Sequence, residues 1–344
     1  MAAEAEIEGQ ILALSGGGYR GLYTAKILAC IEEATGQPVA RHFDLLAGTS
    51  IGGILALALA CEIPAASIVD LFELHGSAIF KKRSVGFFRS PYSPAPLARL
   101  LADPKLFGDR TIADCKHAVV IPAVSYTSGD PVMFKTSHSE RFGRDRNRRL
   151  VDVALATSAA PSYFPRHAFD NTQYVDGGLI ANAPGLIALH EMETVFGIPA
   201  QKVRLMSIGT MSSKQTANPS KNRRGGALDW GAGHWLAPIA MSKTLFGLAI
   251  SAHETLTDYM LKQRLTDERY MHVDDIARDG AAKPIGLDKT NAAAREVLLG
   301  YASQRAKVLL GDPRAMAWLG YQARSRNFFT GQTMVQGDTY AQIS

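Results

Sequence analysis

Short, unbroken apolar runs alternate along the first half of the chain with segments whose apolar positions recur every three or four residues. Residues 10–14, Gln-Ile-Leu-Ala-Leu, read as a buried strand cut off by Ser15-Gly16-Gly17-Gly18. From 19 to 34 the pattern turns helical, with Leu22, Ile27, Leu28 and Ile31 on one face, Gly36 as a stop and Pro38 beyond it. Residues 43–47 predict a second strand, and the apolar run at 54–60 a helix directly after it. Strand, helix, strand, helix favours a parallel sheet covered by helices on its faces.

The pattern continues less regularly. Helices are predicted over 65–80, with Ile68, Leu71, Phe72, Leu74 and Ile79 as an apolar face, and over 95–101 and 150–159. Residues 117–124 and 131–134 are β-rich around the turn Ser128-Gly129-Asp130, 173–175 form a brief strand, and 203–208 are a core strand stopped by Gly209. Asn182 is placed to cap a helix that has Pro184 near its first turn. Farther on, helices are expected over 236–265 and 291–310, with a strand near 269–273. The polar, basic stretch 214–233 offers little to bury and is expected to be a mobile loop. These elements divide the chain into a core at 9–210, a mainly helical part at 211–320 packed on it as a candidate regulatory region, and a polar tail at 321–344.

Composition narrows the class. With 344 residues and 47% hydrophobic content, the chain suits one large α/β domain with additions. No apolar run approaches the roughly 20 residues of a spanning helix. The first residues, Met-Ala-Ala-Glu-Ala-Glu, lack a secretory pattern, so a cytoplasmic protein is expected. Cys30, Cys61 and Cys115 have no metal-ligand spacing; Cys30 and Cys61 read as reduced core residues, and no metal site is expected. The net charge of +5 is compatible with an anionic partner, but no nucleic-acid signature accompanies it. The segment 81–89, Lys-Lys-Arg-Ser-Val-Gly-Phe-Phe-Arg, fits a solvated loop or an interfacial lipid contact. The cluster Arg141, Arg144, Arg146, Arg148 and Arg149 fits a solvated helix start or an anion patch.

Three glycine-bounded motifs carry the candidate chemistry. Gly48-Thr49-Ser50-Ile51-Gly52 joins a strand to an apolar helix, and its glycines allow the sharp turn of a nucleophile elbow. Gly16-Gly17-Gly18-Tyr19-Arg20-Gly21 satisfies G-x-G-x-x-G after a strand. As a dinucleotide fingerprint it wants an acid about 20 residues on, at the end of the second strand. Glu32 and Glu33 come early, and Asp44 falls at that strand's start. The same loop can instead offer bare N–H groups to an oxyanion, with Arg20 orienting it, steadying an anionic headgroup, or simply forming a salt bridge at the helix start. Asp176-Gly177-Gly178 ends a strand, where a carboxylate could take the serine's proton.

In this order, Gly16–Gly21, Gly48–Gly52 and Asp176–Gly178 resemble the patatin-like phospholipases, over roughly residues 9–210. The resemblance implies a three-layer α/β/α fold with a mainly parallel sheet. It also implies a Ser–Asp dyad without histidine: Ser50 as nucleophile, Asp176 as base, and Gly16, Gly17 and Gly18 as oxyanion donors. Gly178 stands where many members have alanine. The implied reaction is hydrolysis of a glycerophospholipid ester through an acyl-serine intermediate, at a membrane surface and without a metal or other cofactor. The general layout is also similar to patatin-like effectors of antiphage systems, which cyclic nucleotides switch on to degrade membranes. That likeness implies a basic pocket involving Arg146, Arg148, Arg223 or Arg224.

Two other classes remain open at this point. A Ser-His-Asp hydrolase would recruit one of His190, His234, His253 or His272, all of which follow Asp176. A nucleotide-binding module would use the Gly16–Gly21 loop alone. Acyl position, headgroup preference and oligomeric state are not encoded in any motif.

Overall fold

A computed structural model of the chain describes residues 6–83, 90–211, 238–277, 283–324 and 328–329. Eight strands among them form one sheet: β1 (Gly9–Leu14), β2 (Leu45–Gly48), β3 (Val119–Ser125), β4 (Pro131–Lys135), β5 (His167–Phe169), β6 (Thr172–Asp176), β7 (Val203–Ile208) and β8 (Tyr270–Val273). The order is β5-β6-β3-β2-β1-β7-β8, with β4 also on β3. Strands β3, β2, β1, β7 and β8 run parallel, whereas β4 and β6 are antiparallel to β3 and β5 forms a hairpin with β6. The predicted mainly parallel α/β/α arrangement is therefore present, with an antiparallel flank.

The sheet is buried on both faces, which is why its central strands are predominantly apolar, with buried Gln10 in β1 and Ser207 in β7 as polar exceptions. In β1, Leu12 and Leu14 join the core on one side, while Ile11 and Ala13 join the core on the other. The first face is covered by α1 (Gly21–Thr35), α2 (Ile51–Ala60), α3 (Ala65–Ile79) and α9 (Ala292–Leu310). The second is covered by α7 (Gly185–Thr194) and α8 (Pro238–Arg264). All ten residues of α2 are buried, as expected of a helix apolar on every side. The remaining helices are α4 (Ala95–Leu101), α5 (Leu150–Thr157), the single turn α6 (Gly178–Ala181) and α10 (Pro313–Leu319).

Several local expectations change. Strand β5 arises because Asp170 and Asn171 both take positive φ, 47° and 56°, and fold residues 167–176 into a tight hairpin. Asn182 does not cap α7, whose N-cap is Pro184. Helix α10 starts at an Asp312 cap whose carboxylate accepts from Arg314 N–H, with Pro313 in the first turn. Cys30 and Cys61 are only partly buried, Cys115 is the deeply buried one, and all three are free thiols. The start of the tail is anchored: Tyr321 Oη donates to Asp44 Oδ2 (2.7 Å) and Arg324 N–H to Asp44 Oδ1 (3.0 Å). The expected mobile loop at 214–233 lies outside the described residues.

β3 has a split edge. One side carries β4 along residues 120–124; the other carries β2 at Val119 and Val120 and then β6 at Ala123, Val124 and Ser125. Because β6 runs antiparallel to β2, the C-terminal ends of both point at each other. That meeting point holds the candidate site.

Candidate active site

The turn after β2 is forced by close backbone contacts. A Cβ on Gly48 would sit 2.1 Å from Gly52 O, and one on Gly52 would sit 2.2 Å from Leu14 O. Ser50 lies between them at φ 56°, ψ −124°, a conformation that side chains rarely adopt. Its N–H donates to Thr157 Oγ1 at 3.0 Å, and the N–H groups of Gly53 and Ile54 donate to its carbonyl. Ile51 opens α2, so its own N–H is one of the helix's unsatisfied donors.

Asp176 ends β6 and is 1% exposed. Ser50 Oγ donates to its Oδ2 at 2.7 Å, and Gly178 N–H donates to its Oδ1 at 2.6 Å. Burial raises its pKa to about 7, partly opposed by the two hydrogen bonds. Gly177 lets this loop pass the sheet, since a Cβ there would lie 2.3 Å from Pro122 O. No histidine among the described residues bonds to Ser50 or Asp176. His253 and His272 instead have pKa values lowered by burial.

The glycine loop reaches the serine, but its three glycines are not equivalent. Gly16 N–H already donates to Asn182 O at 3.0 Å, so the expectation of three oxyanion donors is corrected at this position. Gly17 and Gly18 border the cavity beside Ser50, and their N–H groups have no acceptor among the described residues. Gly21 allows α1 to approach α2, because a Cβ there would meet Ile51 at 2.3 Å. Arg20 is buried, with Nε toward Gly17 O and Nη1 toward Met211 O, both at 3.4 Å. The contacts match orienting the loop, and the charges of Glu254 and Asp274 act on the same guanidinium, in keeping with the charge pairing at the helix start.

The basic-pocket expectation fares differently. Arg148 lies within 3.3 Å of both Asp145 and Asp170 and stacks over Phe134 and Phe169, an internal clamp rather than an open anion site. Arg146 sits in the same loop and is half-buried; Arg223 and Arg224 lie outside the described residues, as do Phe87 and Phe88. The acid sought for a dinucleotide fingerprint is also engaged: Asp44 accepts from Gln10 N–H, Tyr321 and Arg324 N–H.

Thr157 is the residue that sequence reasoning missed. It ends α5, where only the Ser-Ala-Ala-Pro that follows is conspicuous. Its Oγ1 donates to Pro122 O (2.6 Å) while accepting from Ser50 N–H, and its carbonyl accepts from Gly177 N–H (3.2 Å). One threonine thus ties elbow, β3 and aspartate loop together. Thr157→Val keeps the shape and leaves Ser50 N–H and Pro122 O without that partner. Kinetics on a soluble ester should show kcat down by about 10–100-fold with KM little changed, and Thr157→Ser should restore it.

A cavity opens from the dyad between α3, α4 and α8, enclosing about 860 Å³ with its mouth included. Apart from Ser50, Asp176, Asn182, Ser158 and the two glycines, its walls are hydrophobic, among them Ile68, Phe72, Leu100, Phe164 and Phe246. Such a chamber has the size and apolar lining to take a hydrocarbon chain next to Ser50.

The family model described as "Patatin-like phospholipase" matches residues 12–189, more than half of the chain and inclusive of all three motifs. This chain belongs to the patatin-like phospholipases. Its likeness extends well beyond the matched segment. A "cGAMP-activated phospholipase" of Pseudomonas aeruginosa (strain BWHPSA011 / Pa011) is 44% identical over 330 residues, covering 93% of this chain and 95% of the relative. Another of that name, from Vibrio cholerae serotype O1 (strain ATCC 39315 / El Tor Inaba N16961), is 34% identical over 90% of this chain and 93% of the relative. A "cUMP-AMP-activated phospholipase" of Escherichia coli is 28% identical over 69% and 73% respectively. As a patatin-like phospholipase, the protein is a lipid acyl hydrolase.

Proposed function

We propose that the protein cleaves acyl esters of membrane glycerophospholipids with Ser50 as nucleophile and Asp176 as general base, and that a cyclic dinucleotide switches it on. The 2.7 Å bond from Ser50 Oγ to Asp176 Oδ2 carries the catalytic part of this reading. Asp176 takes the hydroxyl proton as Ser50 Oγ adds to the ester carbonyl. The new oxyanion faces the N–H groups of Gly17 and Gly18, with Ile51 N–H at the positive end of α2. Collapse expels the alcohol, which receives the proton from Asp176, and leaves the acyl-serine. Water, deprotonated by the same carboxylate, then releases the fatty acid. No step calls on a metal ion or other cofactor.

Contact with a lipid surface is supported by α8. Phe246 and Ile250 border the cavity, while Leu245, Leu248, Leu256 and Tyr259 stand exposed on the same helix. Among the described residues, no helix is long and apolar enough to cross a membrane. The proposed site of action, on the likeness to the nucleotide-activated relatives, is the inner face of the membrane, reached from the cytoplasm. Activation by a cyclic dinucleotide rests on the names of the relatives, two of which share over 30% identity across nearly the whole chain. An antiviral defence role follows from the same likeness.

The decisive experiment measures fatty-acid release from phospholipid vesicles with and without cyclic GMP-AMP or cyclic UMP-AMP, for the unaltered chain and for Ser50→Ala. Release that requires Ser50 and rises with one nucleotide is the expected result. Release that survives Ser50→Ala would sink the nucleophile, and unchanged release across the nucleotides would sink the activation. The pH profile adds a separate check. Asp176 must be ionised to accept a proton, so kcat/KM should rise with pH and level off above about 7. A profile already flat from pH 5 would remove Asp176 as the base.

A further inference from the structure

A second cavity, of about 940 Å³ including its mouth, lies on the other face of the sheet, between α8 and the C-terminal ends of β1, β7 and β8. The chain leaves β1 for β2 on one side and returns to β7 on the other, so this is a topological switch point, where open α/β sheets commonly bind ligands. Its lining differs from that of the acyl chamber. Three carboxylates border it, Glu254 and Asp258 from α8 and Asp274 after β8, together with the hydroxyls of Ser15, Ser207 and Thr257 and the rings of Tyr270 and His272. No lysine or arginine is among its lining residues. Thr257 is 2% exposed and its Oγ1 has no hydrogen-bond partner, a cost that a bound polar group would remove.

The chemistry asks for a flat ligand edge rich in N–H donors. Among the described residues the carboxylates do not converge as a metal site would. Lys262 pairs with Asp258 and the charge of Arg20 acts on Glu254 and Asp274, but neither cation lines the cavity, so a phosphate entering it would face carboxylates with no cation to receive it. A guanine edge, with adjacent N1–H and N2–H groups, pairs with a carboxylate, whereas an adenine edge presents an acceptor beside its donor and does not. The rings of Tyr270 and His272, 6.3 Å apart and inclined at 34°, offer a partly aromatic wall.

The cavity is also wired to the catalytic loop. Asn182 Nδ2 donates to Glu254 Oε1 at 2.7 Å and to Gly16 O at 3.2 Å, and Asn182 O accepts from Gly16 N–H. Helix α8 borders both chambers, through Phe246 and Ile250 on one and Glu254 and Asp258 on the other. We propose that this second cavity is the effector site, receiving the guanine base of a cyclic dinucleotide while its phosphates stay at the mouth. A base that draws Glu254 from Asn182 frees the Gly16–Gly18 loop to settle around the oxyanion. This assignment rests on the nucleotide-activated reading above.

The test is calorimetric titration of the full-length Ser50→Ala protein with cyclic GMP-AMP, alone and combined with Thr257→Val or Thr255→Trp. Thr257→Val removes only the unpartnered hydroxyl; Thr255→Trp places a large ring at the rim from an exposed position on α8. Each should weaken binding about tenfold or more, and cyclic di-AMP should bind the parent more weakly than cyclic GMP-AMP. Unchanged affinity in both variants, with the parent binding, overturns the site and leaves nucleotide activation standing. Equal affinity for cyclic di-AMP overturns the guanine assignment. A parent that binds no cyclic dinucleotide overturns nucleotide activation itself, and the site with it.

Discussion

Asp176→Asn should lower kcat on phospholipid by about 10²–10⁴-fold while leaving the protein at least as stable as the parent above pH 7. The two halves have one cause. The carboxylate is almost fully buried, and burial raises its pKa to about 7. Between pH 4 and 7 the native state keeps a proton that the unfolded chain has released, so stability falls as pH rises through that interval and levels off above it. The three-unit displacement corresponds to a loss on the order of 4 kcal/mol, which the neutral amide avoids. Asparagine can still accept from Gly178 N–H and donate to Ser50 Oγ, so the local geometry survives. Thermal melts of both proteins at pH 4.5 and 8.5 should show the variant gaining on the parent only at the higher pH. A variant that melts lower at both values would mean that the charged carboxylate supports the fold, against this account.

Gly52→Ala should destabilise the protein by on the order of 3 kcal/mol or more and abolish hydrolysis. The added methyl would fall 2.2 Å from Leu14 O and 2.7 Å from Ser15 O, both backbone atoms of the central strand and the loop that follows. Neither can move without disturbing the sheet or the glycine loop. Gly36→Ala is the matched control: its φ is +66°, and no atom lies within 4 Å of the added methyl. Only the conformational cost of about 1–2 kcal/mol applies there, and activity should persist. Denaturant unfolding of the two variants checks the difference. Equal losses would mean that the elbow tolerates a side chain and that its packing does not dictate the glycine.

Much of this was legible in the residue order because the relevant forces are local. Residues 10–14 and 203–208 are apolar at most of their core positions, since a parallel strand is covered on both faces, and both became central strands. The elbow was legible because glycine is needed on each side of a serine in a strained turn. Where partner strands decide, the reading was weaker. The three residues of β5 carry no alternation and became a strand through the Asp170–Asn171 turn. Thr157 gave no signal and Asn182 read as a helix cap that it does not form, because their roles lie in hydrogen bonds to residues far along the chain.

The amino-acid sequence on its own determined the alternation of strands and helices and the residue types able to attack an ester, because periodicity and turn chemistry act over a few neighbours. Only the tertiary structure decided that Asp176 reaches Ser50 across 126 positions. That contact depends on β2 and β6 sharing one edge of β3, and edge pairing is chosen by the packing of the whole sheet. The same packing committed Gly16 N–H to Asn182 O, clamped Arg148 between two aspartates, and placed α8 along two chambers of opposite character.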